Sequence, residues 1–294
     1  MHKYLQSIGF KQLSNRKQEE ILIKSIIDKP FRKRIVSASA VDDTMLAELS
    51  REYAPGVGIK VYGQYNNEDE FEMDHYFPYV DGRCISLDEE CVFQKRMDST
   101  ALSGLAEDSR VGVSLIFYMN NSIDCLENGE IVNDMSIKKV ALSALSTEGA
   151  IIMPTVNSMN VLANLEKEPA PARIVKEEKE DGENTPPNIE FALNDMELTF
   201  AVNKRAQTED LFSVVETTII PYGMEAEVYK IIGIIAEVEK FRNNILNENV
   251  YLMKLVVNDI VMDLCINEND LNGEPAVGRR FIGIVWLQGC LKKN

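Results

Sequence analysis

His2 and His75 are the only two imidazoles in the chain. A Ser-His-Asp or Cys-His arrangement would therefore have to be built on one of them. His75 stands two residues from both Met73 and Phe77, so on an extended strand all three share a face. That spacing reads as a structural, partly buried histidine. Asp74 is expected on the opposite face, with Glu70 and Glu72. Three carboxylates at alternate strand positions could hold a divalent cation or do acid–base chemistry, but the simpler reading is the solvent face of a hairpin. Arg279 and Arg280 close a Gly- and Pro-containing segment, 273–280, that could bind an anion or simply be the loop feeding the last strand. Trp286, the only tryptophan, joins them as a candidate for binding or an interface. Walker A, GxGxxG, GxSxG and HExxH sequences are absent. No catalytic, cofactor-binding or metal-binding residue is assigned, and no cofactor is expected.

The elements that must position these residues fall in two parts. Asn15 or Ser14 can cap a helix running to about Asp28, with Ile21, Leu22, Ile23, Ile26 and Ile27 as its apolar face and Pro30 as its stop. Strands are predicted at 35–41, 59–65, 71–79 and 92–97, with 45–53 ambiguous. Residues 111–119 read as a buried strand or helix segment, with β-branched and aromatic enrichment favouring strand, and another strand is expected within 139–152. Residues 164–188 contain four prolines and mixed charge with almost no large apolar residue, the composition of a linker. Helices are predicted within 189–205 and 209–218.

The last seventy residues carry the clearest pattern. Asn258-Asp259 between two apolar runs predicts a two-residue hairpin. Its register pairs Val257 with Ile260, Leu255 with Met262, Met253 with Leu264 and Tyr251 with Ile266. Ile232, Ile234, Ala236 and Val238 are expected to be buried on the preceding strand, 230–241. Asp263 and Cys265 are expected to face the other way. On the final strand, 280–291, Trp286 shares a face with Ile282, Ile284 and Cys290, while Phe281, Val285, Leu287 and Leu291 occupy the other. Both faces are apolar, so something must cover the second one. The cover is the helices of 189–218, the N-terminal part or another chain, and the helices, nearest in sequence, are the first choice.

The expected fold is α+β: an N-terminal mixed α+β domain (1–160), a charged linker (161–188), then two helices and a small antiparallel OB-like barrel or sheet (189–294).

Several blocks resemble one bacterial domain-of-unknown-function family, number thirty-eight eighty-one, found in anaerobic Gram-positive bacteria. They are GEPAVGRRFIGIVWLQG at 273–289, MHKYLQSIGF at the start, VGVSLIFYMNN at 111–121 and IIPYG at 219–223. They occur in order over nearly the whole chain. The resemblance implies no activity, cofactor or site residue.

Composition narrows the function classes. The net charge of −16, from 47 acids against 31 bases, disfavours nucleic acid, whose binding needs cations to release phosphate counterions. Residues 1–40 run the other way, with nine bases and three acids, and Arg32-Lys33-Arg34 is the densest positive spot. Five cysteines with no CxxC spacing fit reduced thiols and a cytoplasmic location. No apolar run approaches the ~20 residues that span a bilayer, and no secretory signal is recognisable. The expectation is a non-catalytic binding or assembly module with a protein partner. The alternatives are a nucleic-acid binder using an OB-like barrel and a carboxylate-based hydrolase or metal enzyme.

Overall fold

The computed structural model describes residues 2–13, 15–37, 45–66, 70–96, 101–127, 130–131, 137–155 and 215–292. Two compact units result: Met1–Ile152 with Thr217–Asn294, and Met153–Glu216. Most of the second lies outside the described residues, as do the expected linker and the expected helices up to residue 214. Thr218 opens a strand instead of ending a helix.

The first unit is mostly β, not the balanced α+β expected. A 3-10 turn (Lys3–Ile8) leads into α1 (Arg16–Asp28). Asn15 caps the helix as its type and place suggest, its side chain accepting from the Gln18 N–H at 2.9 Å. Leu22, Ile23 and Ile26 are buried, while Ile21 points to solvent. β1 (Arg32–Ser37), β2 (Met45–Ala54), β3 (Val57–Tyr65) and β4 (Phe71–Val80) then form an antiparallel meander in that order.

The large sheet holds β5 (Leu87–Lys95), β6 (Leu102–Glu107) and β7 (Ser114–Met119). β8 (Leu126–Glu127) and β9 (Glu130–Ile131) pair only with each other. The sheet continues with β10 (Ile137–Ile152), β11 (Thr218–Pro221), β12 (Val228–Arg242), β13 (Asn249–Val257), β14 (Ile260–Asn267), β15 (Leu271–Asn272) and β16 (Arg280–Leu291).

Following the pairings, β12, β13, β14, β10 and β16 return to β12, a closed five-stranded barrel. It is not wholly antiparallel, because β14 and β10 run parallel. The fifth stave therefore comes from the N-terminal stretch, and strands from both expected domains, 1–160 and 189–294, lie in one sheet. A second closed path shares β10 and β16 and runs through β5, β6 and β7. Phe117 lies against Gly289 on β16, where an added Cβ would stand 2.3 Å from its ring, so only glycine admits that approach.

The hairpin register matches the one read from the sequence, pair for pair. Asn258 and Asp259 both take the left-handed conformation (φ 48° and 61°) that a two-residue turn between twisted strands requires. On β12 the inner residues are Ile231 and Ile235, packed with Leu255, Val257, Met262 and Leu264. The expected inner pair, Ile232 and Ile234, has the opposite parity, and a register shift follows Ile235. Phe281, Val285 and Leu287 line the same interior, and Trp286 and Ile284 face away from it.

The second apolar face is covered by the chain's own N-terminus. Tyr4, Leu5, Ile8 and Phe10 pack with Val250, Leu252, Cys265, Leu145 and Trp286, and the meander supplies Leu49, Ile59, Phe77 and Tyr79 to the same core. Cys265 and Asp263 are thus not outward: their exposures are 0% and 1%. The Cys265 thiol donates to the Ser7 carbonyl at 3.3 Å. Asp263 accepts from the Arg83 backbone N–H at 2.7 Å and from its guanidinium Nε at 2.9 Å. Further hydrogen bonds fix the N-terminal turn. Asn243 donates to the Ile8 carbonyl at 2.9 Å, Asn267 to the Gln6 carbonyl at 3.1 Å, and the Glu248 carboxylate accepts from the Lys11 and Gln12 N–H groups.

Candidate functional site

Aromatic rings gather where the N-terminal turn crosses β16. Trp286 pairs through its backbone with Val228 on one side and Leu145 on the other. Its indole lies 5.2 Å from the Tyr4 ring, stacked at 18°, 5.3 Å from His2 and 5.1 Å from Tyr118. Phe77 meets Tyr118 edge-on at 4.7 Å, and His75 stacks over Phe77 and Tyr62.

Beside this cluster opens a cleft of about 810 Å³, lined by His2, Lys3, Tyr4, Arg96, Glu227 and Trp286 among others. Six separated stretches of chain converge on it. Lys3 reaches Glu225 at 3.1 Å and lies over the Tyr4 ring at 4.8 Å. Arg96 lies over Tyr118 and reaches Glu227 at 3.2 Å. The Glu227 side chain is only 6% exposed, and its Oε1 also accepts from the Ser103 hydroxyl at 3.0 Å. Burial pulls the Lys3 ammonium down, but Glu225 and Tyr4 together outweigh that and hold it above the usual value.

His2 closes one wall. Its backbone N–H donates to Glu19 at 2.9 Å, and Tyr76 donates to the same carboxylate oxygen. Burial alone would raise the Glu19 carboxyl. These hydrogen bonds bring it below the usual carboxylate value. Burial drives the His2 imidazole down to about 4 against the opposing pull of Glu19, so the ring is neutral at pH 7. Its Nδ1 is buried with no hydrogen-bond partner.

The sequence candidates are distributed differently. Trp286 is in the cleft; Arg279 and Arg280 are not. Arg280 opens β16 beside Ile152 and Ile234 and is buried, while Arg279 donates to the Glu274 carbonyl at 2.7 Å. Asp74 does not oppose His75: the two side chains meet, Nδ1 to Oδ2, at 3.1 Å. A register shift at Tyr62/Gly63 leaves Asp74 out of the pairing and breaks the strict alternation. Glu70 and Glu72 are exposed. Among the described residues, no group of three or more His, Cys, Asp or Glu side chains could hold a metal ion. Sequence reasoning missed Lys3, Tyr4, Arg96, Glu225 and Glu227. Only Glu225-Ala-Glu227, two acids at strand spacing before an apolar run, left a readable trace.

Two further hollows are less built. One of about 450 Å³ lies between α1 and Met73 and Tyr76 of β4. One of about 480 Å³ is lined by a single turn, from Glu107 to Ser114.

No curated protein and no solved structure matches the chain. The family described as "Domain of unknown function, E. rectale Gene description (DUF3881)" matches residues 5–289. Almost the whole chain is covered, from the N-terminal turn to Gly289 of β16, and the protein belongs to that family.

Proposed function

We propose that this protein is a binding module whose ligand seats in the cleft beside Trp286. The observation that carries the reading is the Glu227 carboxylate, almost withdrawn from water at the cleft wall and paired there with Arg96 and Ser103. A buried charge is costly unless it is used or paired, and here it stands next to an aromatic wall with room for a small organic molecule. Five cysteines outside any disulfide, three of them buried, suit a reducing compartment, and the cytoplasm is the proposed location.

The barrel can be read as OB-like, with β10 standing in the fifth place. Barrels of that kind bind oligonucleotides over their second and third strands. Here the outer faces of β13 and β14 lie beneath the N-terminal turn, with Val250, Leu252 and Cys265 buried. The nucleic-acid reading therefore has no observation in its favour. A carboxylate hydrolase at Glu70, Glu72 and Asp74 fares no better, since Asp74 is turned to His75.

The test uses the lone tryptophan as the reporter. A library of small cytoplasmic metabolites should contain compounds that shift Trp286 emission saturably and raise the melting temperature of the full chain together. Glu227→Gln should weaken those compounds. A library that leaves both signals unchanged would overturn the reading.

A further inference from the structure

The charges of the cleft are balanced as well as paired. Lys3 faces Glu225, and Arg96 faces Glu227, with the Tyr4 and Trp286 rings alongside. A ligand with net negative charge would meet two carboxylates, and one with net positive charge would meet two cations. A ligand carrying one charge of each sign can replace each protein partner like for like and strand neither.

The atoms allow such an exchange. Arg96 and Ser103 both meet Glu227 at Oε1, and Oε2 is the oxygen a ligand's ammonium would take. Arg96 reaches Glu227 with Nη1, at 3.2 Å. A guanidinium has five N–H donors in a fixed fork, so its other edge can take a carboxylate two-pronged. The Arg96 side chain is 44% exposed, so part of its guanidinium is open to a ligand while it stays on Glu227. Tyr4 and Trp286 line the same space, each with a few per cent of its surface open.

We propose, on the basis of the binding role above, that the cleft takes a free α-amino acid with a planar side chain. Its ammonium donates to Glu227 Oε2, its carboxylate meets Arg96, and its ring lies against Tyr4 and Trp286. The amino and carboxyl groups are read together, so blocking either one costs affinity.

The experiment titrates the full chain with L-phenylalanine, L-tyrosine and L-histidine, following Trp286 emission and binding heat. N-acetyl-phenylalanine and phenylalanine amide serve as blocked comparators. At least one free amino acid should bind saturably, and its blocked forms should bind at least about tenfold more weakly, the worth of one lost charge-assisted hydrogen bond. Glu227→Gln should erase the penalty of N-acetylation, and Arg96→Gln that of amidation. Both variants are first checked for unchanged melting, and Ser103→Ala replaces Glu227→Gln if that variant unfolds. Equal binding of free and blocked forms would overturn the zwitterion assignment and leave the cleft standing as a site. Failure of all three free amino acids, alongside saturable binding of other metabolites, would overturn the assignment alone. Failure of every compound would sink the binding role with it.

Discussion

Tyr4 lies face to face with Trp286, ring centroids 5.2 Å apart and planes 18° from parallel. One ring comes from the fourth residue of the chain and the other from its last strand. The contact therefore joins the two ends of the sequence and floors the cleft at the same time.

Removing the Tyr4 ring should be felt in both roles. Tyr4→Ala takes a nearly fully buried aromatic from the second core. It should cost about 3 kcal/mol in urea unfolding and move Trp286 emission to the red as water reaches the indole. Lys3→Ala, next door in an exposed ion pair, should change stability by no more than about 0.5 kcal/mol. Equal costs would mean that the N-terminal turn is not seated on β16.

Acidification should loosen the same corner. His2 is held neutral by burial, its value lowered from 6.5 to about 4. Between those two pH values the unfolded chain binds a proton that the folded chain refuses, so stability rises with pH across that window. Urea midpoints should therefore fall as pH is lowered from about 6.5 toward about 4, by at most about 3 kcal/mol for this group. Burial lowers His75 as well, so it adds a parallel decline. His2→Gln should flatten part of the slope and leave the His75 share. A His2→Gln profile with the wild-type slope would sink the assignment.

Thiol chemistry should report on the covered face of the barrel. Cys265 is fully buried, and burial pushes its thiol far up. Cys84, half-buried, should react first with an aromatic disulfide reagent, and Cys265 only after denaturant is added. Cys265→Asp and Leu264→Asp should both prevent folding, since each places an unpaired charge in a core. A mild Cys265→Asp would mean that the turn lifts off easily.

How much of this was legible follows from how local each signal is. The hairpin could be read completely, because Asn258-Asp259 fixes a register and every inward pair is apolar. The α1 helix declared itself through Asn15 and its apolar spacing. Alternation failed at the bulges. The shift at Tyr62/Gly63 turns Asp74 toward His75, and the shift after Ile235 splits β12, so that Val238 packs on the interior as its spacing predicts while Ile231 and Ile235, not Ile232 and Ile234, do so before it. The cover over Cys265 could not be found by proximity in sequence, since Ser7 lies 258 residues away. The cleft failed for the same reason: Lys3, Arg96 and Glu227 meet only after the ring has closed.

Fragments should expose the dependence on β10. Residues 225–294 carry four staves of the barrel but lack the one between β14 and β16. That fragment should aggregate or bind hydrophobic dye, leaving Met262, Leu264 and Leu287 without cover. By contrast, the Thr155 hydroxyl donates to Glu216 at 2.8 Å, so the second unit begins and ends at adjacent points. Replacing residues 156–214 by a short Gly-Ser linker should leave a cooperative melting transition. A folded, dye-silent 225–294 fragment would show that β10 is dispensable.

The parallel pairing of β10 with β14 also sets an order of events at the ribosome. Leu142 must wait for Met262, about 120 residues later, before its side of the strand is satisfied. At roughly 5–20 residues per second that is a delay of many seconds. Throughout it, β10 presents an unpaired, apolar edge to the cell. Such long-range closure is slow even in the finished chain. A nascent protein of this design is therefore a natural client for chaperones that shield exposed strands. Release from them should coincide with emergence of β16, the last stave, which pairs β10 along its other side.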